Sequence, residues 1–192
     1  MSKNRNWTVL LVGGASGTGK SCFAKAIARH YGISVLEIDD INQSLKAMTT
    51  KDTLPAMHYF STGLDWMNIG VSENVNWLIR VSKEMIPALT AIIKRHLEDD
   101  VPIIMEGDFL CPDLAASFSG SEVKSLFIME RDKNQILQNL MNREGGSPQH
   151  YRADISIAYG EWLTEVCKKK GINVIESRPW NNALSRALEY LE

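Results

Sequence analysis

The residues with the clearest chemical potential run from Gly13 to Ser21, GGASGTGKS, directly after the apolar run Val9–Val12. Read from Gly14, they match the spacing G-x-x-x-x-G-K-S of a phosphate-binding loop. Glycines permit positive φ angles and place no Cβ in the path of an anion, so backbone N–H groups at a helix N-terminus can surround a phosphate. Lys20 would bridge the β- and γ-phosphates, and the Ser21 hydroxyl would bind Mg²⁺. Nucleotide contacts are expected from Gly14, Ala15, Ser16, Gly17, Thr18, Gly19, Lys20, Ser21 and Cys22.

Four acids follow the second and third predicted strands. They are Asp39 and Asp40 after the second strand and Glu106 and Asp108 after the third. Because open α/β sheets bind ligands at the carboxyl ends of their strands, we expect these acids to face the bound substrate beside the phosphate loop. Asp39 is the first choice for the base that accepts a proton from a substrate hydroxyl, and Asp39 and Glu106 could also hold Mg²⁺.

Each of these acids also has a structural explanation. Asp39 or Asp40 could cap a helix that begins near Ile41, because acids are favoured at helix N-termini. Glu106 could organise buried backbone groups, and Asp108 could meet the acceptor if the strand persists far enough to point it the same way as Glu106. The choice between Asp39 and Asp40 as the base stays open.

Arginines flank the irregular segment EGGSPQHYR at Glu144–Arg152. A loop that closes over a nucleotide can bring guanidinium groups to the transferring phosphoryl group and exclude water. Arg143, at the end of a predicted helix, is the catalytic candidate, although a cation at a helix C-terminus is also favourable by itself. The role of Arg152 stays open.

The segment ESRPWNN, Glu176–Asn182, follows the last predicted strand and could contact a purine base. Arg178 could stack on adenine, and backbone groups around Pro179 and Trp180 could bind its edge. A simple turn into the last helix is the alternative.

Short apolar runs alternate with stretches of helical periodicity, a pattern typical of a parallel sheet covered by helices. The runs are 7–12, 34–38, 101–105, 124–129 and 172–175, and the clearest helices are predicted over about 19–31, 132–142, 155–169 and 183–191. The insert between the second and third runs, 41–100, is too long for a simple crossover. Its second half, Ser72–Leu97, is predicted to be helical, with Pro87 either kinking one helix or starting a second.

Size and composition narrow the classes of function. A chain of 192 residues fits one domain, and 21 Lys and Arg against 23 Asp and Glu give no electrostatic reason to expect a nucleic-acid partner. Three widely spaced cysteines argue against disulfides or a thiolate metal site and favour a reducing cytoplasm. We expect no membrane partner, since no segment reaches the roughly 20 apolar residues of a membrane-spanning helix, and the N-terminal apolar run is too short for a signal peptide.

These segments together resemble small P-loop kinases of the nucleoside and nucleotide kinase type. The likeness rests on GASGTGKS, the DD after strand two, IIMEGDFLCPDLA, NLMNREGG and RPWNNALSRALEYL. It is greatest to 2-phosphoglycerate-kinase-like proteins, with chloramphenicol phosphotransferases and uridine-kinase-like enzymes as neighbours. The resemblance implies a P-loop NTPase fold, a three-layer α/β/α sandwich over residues 1–192 with a five-stranded parallel sheet in the order 2-3-1-4-5. It also implies a helical acceptor-binding insert over 41–100, a lid over 143–153, Asp39 as the base and Arg143 as a lid arginine.

The expected activity is that of an ATP- and Mg²⁺-dependent kinase acting on a small-molecule hydroxyl, as a monomer or homodimer. The acceptor could be a nucleoside, a sugar-like compound or a phosphoglycerate. The insert has few cations for a phosphorylated acid, whereas its aromatic side chains could stack on a flat acceptor or simply pack in the core. A regulatory protein that binds ATP without an acceptor is the alternative. A GTPase is disfavoured, because no N-K-x-D segment follows a strand and strand three ends in EGD.

Overall fold

The computed structural model describes residues 5–118 and 120–191. One parallel sheet has the strand order β2-β3-β1-β4-β5, which confirms the predicted topology. The strands are β1 Val9–Gly13, β2 Ser34–Glu37, β3 Ile103–Gly107, β4 Val123–Met129 and β5 Asn173–Glu176. β1 lies at the centre, and its register pairs Gly13 with Gly107 of β3. The phosphate loop and the acids after β3 therefore start from neighbouring positions at one edge of the sheet.

Helices cover both faces of the sheet. They are α1 Lys20–Tyr31, α2 Ile38–Met48, α3 Val71–Glu98, α4 Pro112–Ala116, α5 Lys133–Glu144, α6 His150–Lys170 and α7 Ala183–Leu191. Successive residues of β1 point to opposite faces: Val9 and Leu11 pack in a core with α3 and α6, and Leu10 and Val12 pack in a second core with α1 and α7. Two buried cores on one sheet give the three-layer α/β/α sandwich of P-loop proteins.

The connection from β2 to α2 is tighter than the sequence predicted. The strand ends at Glu37 and α2 begins at Ile38, so Asp39 and Asp40 lie inside the first turn of the helix. The prediction of a strand to Ile38 and a helix from Ile41 was wrong. The residue before the helix, Glu37, makes no side-chain capping bond. Ile38 is fully buried, directly below Gly107, which ties the start of α2 to the end of β3.

The insert and the segment predicted to be a lid are also more regular than expected. The long helix of the insert, α3, continues through Pro87, and buried side chains on both sides of the proline, among them Met85 and Leu89, offset the backbone hydrogen bond it removes. In the segment predicted to be a lid, 143–153, α5 extends to Glu144 and α6 begins at His150. The irregular segment is therefore only 145–149, and Arg152 lies in the first turn of α6, where the prediction had placed a loop.

Candidate active site

The phosphate loop connects β1 to α1 and has the backbone shape that an anion cradle requires. Gly14, Gly17 and Gly19 adopt φ angles of +148°, +76° and +89°, in or near the left-handed region. The Thr18 hydroxyl donates to the carbonyl oxygen of Ala15 at 2.9 Å, which closes the loop on itself. Backbone N–H groups are thus presented at the N-terminus of α1, where the helix dipole also favours negative charge.

Two distant segments fix this loop in place. Asn139 of α5 donates from Nδ2 to the carbonyl oxygen of Gly17 at 2.8 Å. A Cβ at Gly19 would lie 2.2 Å from Cη2 of Trp180, so the indole packs directly on the loop at a position where only glycine fits. Asn139 was not predicted to contact the loop, because its partner is remote in the chain.

The phosphate-loop lysine is buried and paired with an acid from the end of β3. Lys20 Nζ forms an ion pair with Asp108, and the two side chains are 7% and 22% exposed. Burial alone would lower the pKa of Lys20, but the charges of Asp108, Glu106 and Asp39 outweigh it and raise the pKa. Because β3 ends at Gly107, Asp108 lies in the turn after the strand and reaches Lys20 from there.

Glu106 is buried in β3 beside the Ser21 hydroxyl, which donates a hydrogen bond to its carboxylate. Burial raises the pKa of Glu106, while Lys20 and Ser21 oppose the rise. The second carboxylate oxygen, Oε2, is buried and has no hydrogen-bond partner. An orphaned carboxylate oxygen next to a phosphate-loop hydroxyl fits the oxygen ligands that Mg²⁺ prefers, bound directly or through water.

No group of three or more His, Cys, Asp or Glu side chains within residues 5–118 and 120–191 could hold a metal ion by itself. A Mg²⁺ ion here would therefore depend on phosphate oxygens and water as well as on Ser21 and Glu106, which is usual for nucleotide-bound magnesium. Asp39 is the third predicted metal ligand, and the charges of Lys20, Asp108 and Arg143 act on its carboxylate.

Asp39 faces a cavity that also contains Ser16 of the phosphate loop. The Asp39 carboxylate is open to the cavity. Partial desolvation by the surrounding protein and the negative charge of Asp108 raise the pKa of Asp39, while the positive charges of Lys20 and Arg143 oppose the rise. A raised pKa makes a carboxylate a stronger base. Asp40 is exposed on the next position of α2, and its carbonyl oxygen accepts from the Ser44 hydroxyl.

Arg143 and Arg152, which border the predicted lid, both reach the phosphate loop. Arg143 and Arg152 each donate from Nη2 to Ser16 Oγ, at 3.2 and 3.1 Å. Glu144 joins them, because its carboxylate accepts from Arg143 Nε at 3.0 Å and from Arg152 Nη1 at 2.7 and 2.9 Å. Hydrogen bonding from Gln149 and the two guanidinium groups lower the pKa of Glu144 to about 2 against the cost of desolvation, so it stays charged at neutral pH. The sequence did not identify Glu144 as the link between the arginines.

The purine-binding candidates lie beside the phosphate loop, but one of them is already engaged. Arg178 makes a two-point ion pair with the buried Glu130, Nε to Oε2 at 2.8 Å and Nη2 to Oε1 at 2.9 Å, and a longer contact of 3.4 Å with Asp132. Adenine stacking by Arg178 stays a prediction. The following Trp180 lies against Gly19, so the segment that includes Pro179 borders the site.

A cavity of about 550 Å³ opens between the phosphate loop, the acids and the insert. Its phosphate end includes Ser16, Asp39, Asp108 and Arg152. Ala15, Phe109 and side chains from α2, α3, α6 and the segment between α2 and α3 form the rest. This volume lies within the range of small-molecule binding sites, about 300 to 1,000 Å³. An acceptor in the cavity would reach the same space as a phosphate bound at the loop.

The sheet order, the phosphate loop and the helical insert define a fold shared with small P-loop kinases. A gluconokinase from Sinorhizobium meliloti 1021 matches it with a TM-score of 0.55 and 15% identity, over 98% of this chain and 93% of that one. A shikimate kinase from Acinetobacter baumannii, solved with shikimate, matches with a TM-score of 0.59 and 11% identity, over 97% and 92%. At these identities the likeness concerns the fold alone.

In sequence, the chain is similar to proteins named 2-phosphoglycerate kinase. The one from Methanocaldococcus jannaschii is 26% identical over 202 residues, covering 100% of this chain and 65% of that protein. The one from Methanococcus maripaludis strain C6 is 31% identical over 201 residues, covering 94% and 63%. The chain thus spans less than two thirds of the length of these relatives. No protein-family model matches it. These findings confirm the resemblance seen in the sequence motifs.

Proposed function

We propose that the chain is an ATP- and Mg²⁺-dependent kinase that transfers a γ-phosphoryl group to a hydroxyl of a small molecule. The observation that carries the proposal is that Asp39, a carboxylate with a raised pKa, faces the same cavity as Ser16 of the phosphate loop and both lid arginines bind that serine. A protein that only binds a nucleotide would need the phosphate loop, but it would not need a proton-accepting carboxylate that faces an open acceptor cavity.

The phosphate loop would bind the nucleotide first. Its N–H groups would surround the β-phosphate, and Lys20 would exchange its contact with Asp108 for phosphate oxygens. Ser21 and Glu106 are the residues that would hold Mg²⁺, which, when bound, neutralises charge on the β- and γ-phosphates. Trp180 and the backbone near Pro179 border the expected position of the base.

Transfer would then be an in-line displacement. The acceptor oxygen forms a bond to the γ-phosphorus as the bond from that phosphorus to the β,γ-bridging oxygen breaks, and ADP leaves with the bond's electron pair. Asp39 takes the proton of the acceptor hydroxyl. Arg143 and Arg152, poised at Ser16, would bind the oxygens of the transferring group and help to exclude water.

The acceptor enters from the insert side. The sequence relatives are named for 2-phosphoglycerate, and the motifs are equally compatible with a nucleoside or a sugar-like hydroxyl. We further propose that residues 1–192 act as one kinase unit in which 41–100 binds the acceptor and 143–153 is the lid. Cys22, Cys111 and Cys167 are free thiols, which supports a reducing cytoplasm as the place of action.

The proposal is tested by acceptor-dependent ADP release. Purified chain with MgATP is screened against small hydroxyl compounds, and phosphorylated product is identified by ³¹P NMR. We expect at least one compound to stimulate ADP release, and Lys20→Ala to abolish the stimulation while the variant stays folded. Tight ATP binding with no transfer to any compound would instead favour a regulatory nucleotide-binding protein.

A further inference from the structure

The acceptor cavity has a wall of aromatic rings held at fixed angles. Phe60 and Trp77 lie edge to face with centroids 4.8 Å apart, and Trp77 and Phe109 continue the row at 6.1 Å. The indole of Trp77 cannot rotate freely, because its Nε1 donates to the carbonyl oxygen of Ala56 at 2.9 Å. All three rings line the cavity. A preformed aromatic wall binds flat or apolar ring surfaces with little loss of side-chain entropy.

The charges that line the cavity do not suit an anionic acceptor. Two carboxylates, Asp39 and Asp108, stand at the phosphate end, where the γ-phosphate would add more negative charge. The two cations are Lys46, exposed on α2, and Arg152, which is already bound to Glu144 and Ser16. Among the residues that the structure describes, the lining therefore carries no excess positive charge.

A phosphoglycerate would bring close to three negative charges at neutral pH, from its carboxylate and its phosphate. Binding such a compound out of bulk water requires several guanidinium or ammonium partners, and leaving its charges unpaired would be costly. Lys46 alone, on an exposed helix position, cannot replace them.

Neutral polar side chains complete the cavity. Asn42, Asn74 and Ser156 are buried, and Gln43 is exposed. Asn42 Nδ2 already donates to Met85 Sδ at 3.6 Å and Asn74 Nδ2 to the carbonyl oxygen of Trp66 at 2.9 Å, so their amide oxygens are the groups left for a ligand. Amide and hydroxyl groups of this kind bind uncharged hydroxyl and amide groups, which can both donate and accept. The aromatic surface, the neutral polar groups and the balanced charge of the cavity all favour an uncharged ligand that contains a ring.

We propose that the acceptor is an uncharged, ring-bearing alcohol, such as a nucleoside or a cyclic polyol with an apolar face, and not a phosphorylated acid. This inference rests on the proposed kinase function and narrows its substrate class. The ring lies against Phe60 and Trp77, and one hydroxyl projects toward Asp39.

The test compares acceptors directly in the full chain. Initial rates of ADP release are measured with MgATP and either 2-phosphoglycerate or a panel of uncharged ring alcohols, including adenosine, uridine, cytidine and myo-inositol. The same rates are measured for Trp77→Leu, for the milder Phe60→Leu and for Lys46→Gln, each checked for folding by thermal melting.

The expected result is a kcat/KM at least tenfold higher for one or more uncharged compounds than for 2-phosphoglycerate. Trp77→Leu or Phe60→Leu should then raise the acceptor KM at least fivefold while the KM for ATP stays within twofold. Preferred turnover of 2-phosphoglycerate, with a loss of tenfold or more in Lys46→Gln, would overturn the inference but leave the kinase function standing. No turnover with either class would overturn both.

Discussion

The ion pair between Lys20 and Asp108 leads to an unusual prediction: removing it should make the protein less stable and yet improve nucleotide binding. Lys20 is almost fully buried and Asp108 is mostly buried. In Asp108→Asn the lysine keeps only the more distant charges of Glu106 and Asp39. When ATP is bound, its phosphates supply the missing negative charge, so the loss applies mainly to the protein without nucleotide.

The magnitude follows from burial. Removing one partner of a buried ion pair costs about 3–5 kcal/mol, and the residual exposure of Asp108 and the remaining acids reduce this to about 2 kcal/mol. For a domain of this size, each kcal/mol corresponds to about 2–4 °C, so the melting temperature should fall by about 4–8 °C. If half or more of the cost disappears in the complex, affinity for a non-hydrolysable ATP analogue should rise at least about fivefold.

The assay combines thermal melting with and without the analogue and titration calorimetry. Asp113→Asn is a matched control in the same segment, because Asp113 pairs with Lys170 at 2.8 Å on the surface. Its melting temperature should change by less than about 3 °C and its nucleotide affinity should not change. An Asp108→Asn protein with wild-type stability, or with weaker nucleotide binding, would refute the reasoning and indicate that Asp108 contacts the nucleotide or its metal.

Three further predictions concern the catalytic groups. Glu144→Gln should lower kcat about five- to tenfold with little change in the acceptor KM, because Arg143 and Arg152 lose the carboxylate that holds them together. The acid limb of the kcat–pH profile should lie above the ordinary pKa of an aspartate, because Asp39 acts when deprotonated and burial raises its pKa. Glu106→Gln should raise the Mg²⁺ concentration for half-maximal activity about tenfold or more, since the unpartnered Oε2 is lost.

Each of these three predictions has a control or an outcome that would contradict it. Glu73→Gln removes an exposed pair with Arg80 and should leave kcat unchanged. A faster Glu144→Gln enzyme would mean that Glu144 competes with phosphate for the arginines. The acid limb should move to lower pH in Asp108→Asn, because the Asp108 charge raises the pKa of Asp39, and an unmoved limb would assign it to another group. Unchanged Mg²⁺ dependence in Glu106→Gln would exclude Glu106 from the metal site.

Local sequence patterns were sufficient to predict the phosphate loop and most of the strands and helices. The phosphate loop is encoded within nine residues, and Gly14, Gly17 and Gly19 adopt the positive φ angles that glycine permits. The strand runs and the helix periodicity are also local, and they placed β1 and α1 within a few residues of their observed bounds. The sheet order came from the resemblance, since periodicity alone cannot state which strands are neighbours.

The features that the sequence did not reveal depend on tertiary contacts. Whether α2 begins at Ile38 or Ile41 depends on the burial of Ile38 below Gly107, which no local pattern reports. The pairing of Arg178 with Glu130 arises because β4 and β5 are neighbours and end at the same edge. Asn139 was missed for the same reason: its partner, the carbonyl of Gly17, is 122 positions away in the chain.

In the part of the chain that the structure describes, no helix is both long and apolar enough to cross a membrane. The sequence-based expectation of no membrane partner came from the same property, the absence of a long apolar run.

The most direct test of Asp39 as the catalytic base is the rate of phosphoryl transfer to the acceptor in a single turnover. This rate is measured for wild type, Asp39→Asn and Asp40→Asn, with ATP binding measured in parallel. If Asp39 is the base, Asp39→Asn should lose at least about 100-fold in the transfer rate while ATP affinity stays within threefold. Asp40→Asn, one position further along an exposed helix turn, should transfer at close to the wild-type rate. Equal transfer rates for wild type and Asp39→Asn would contradict the account.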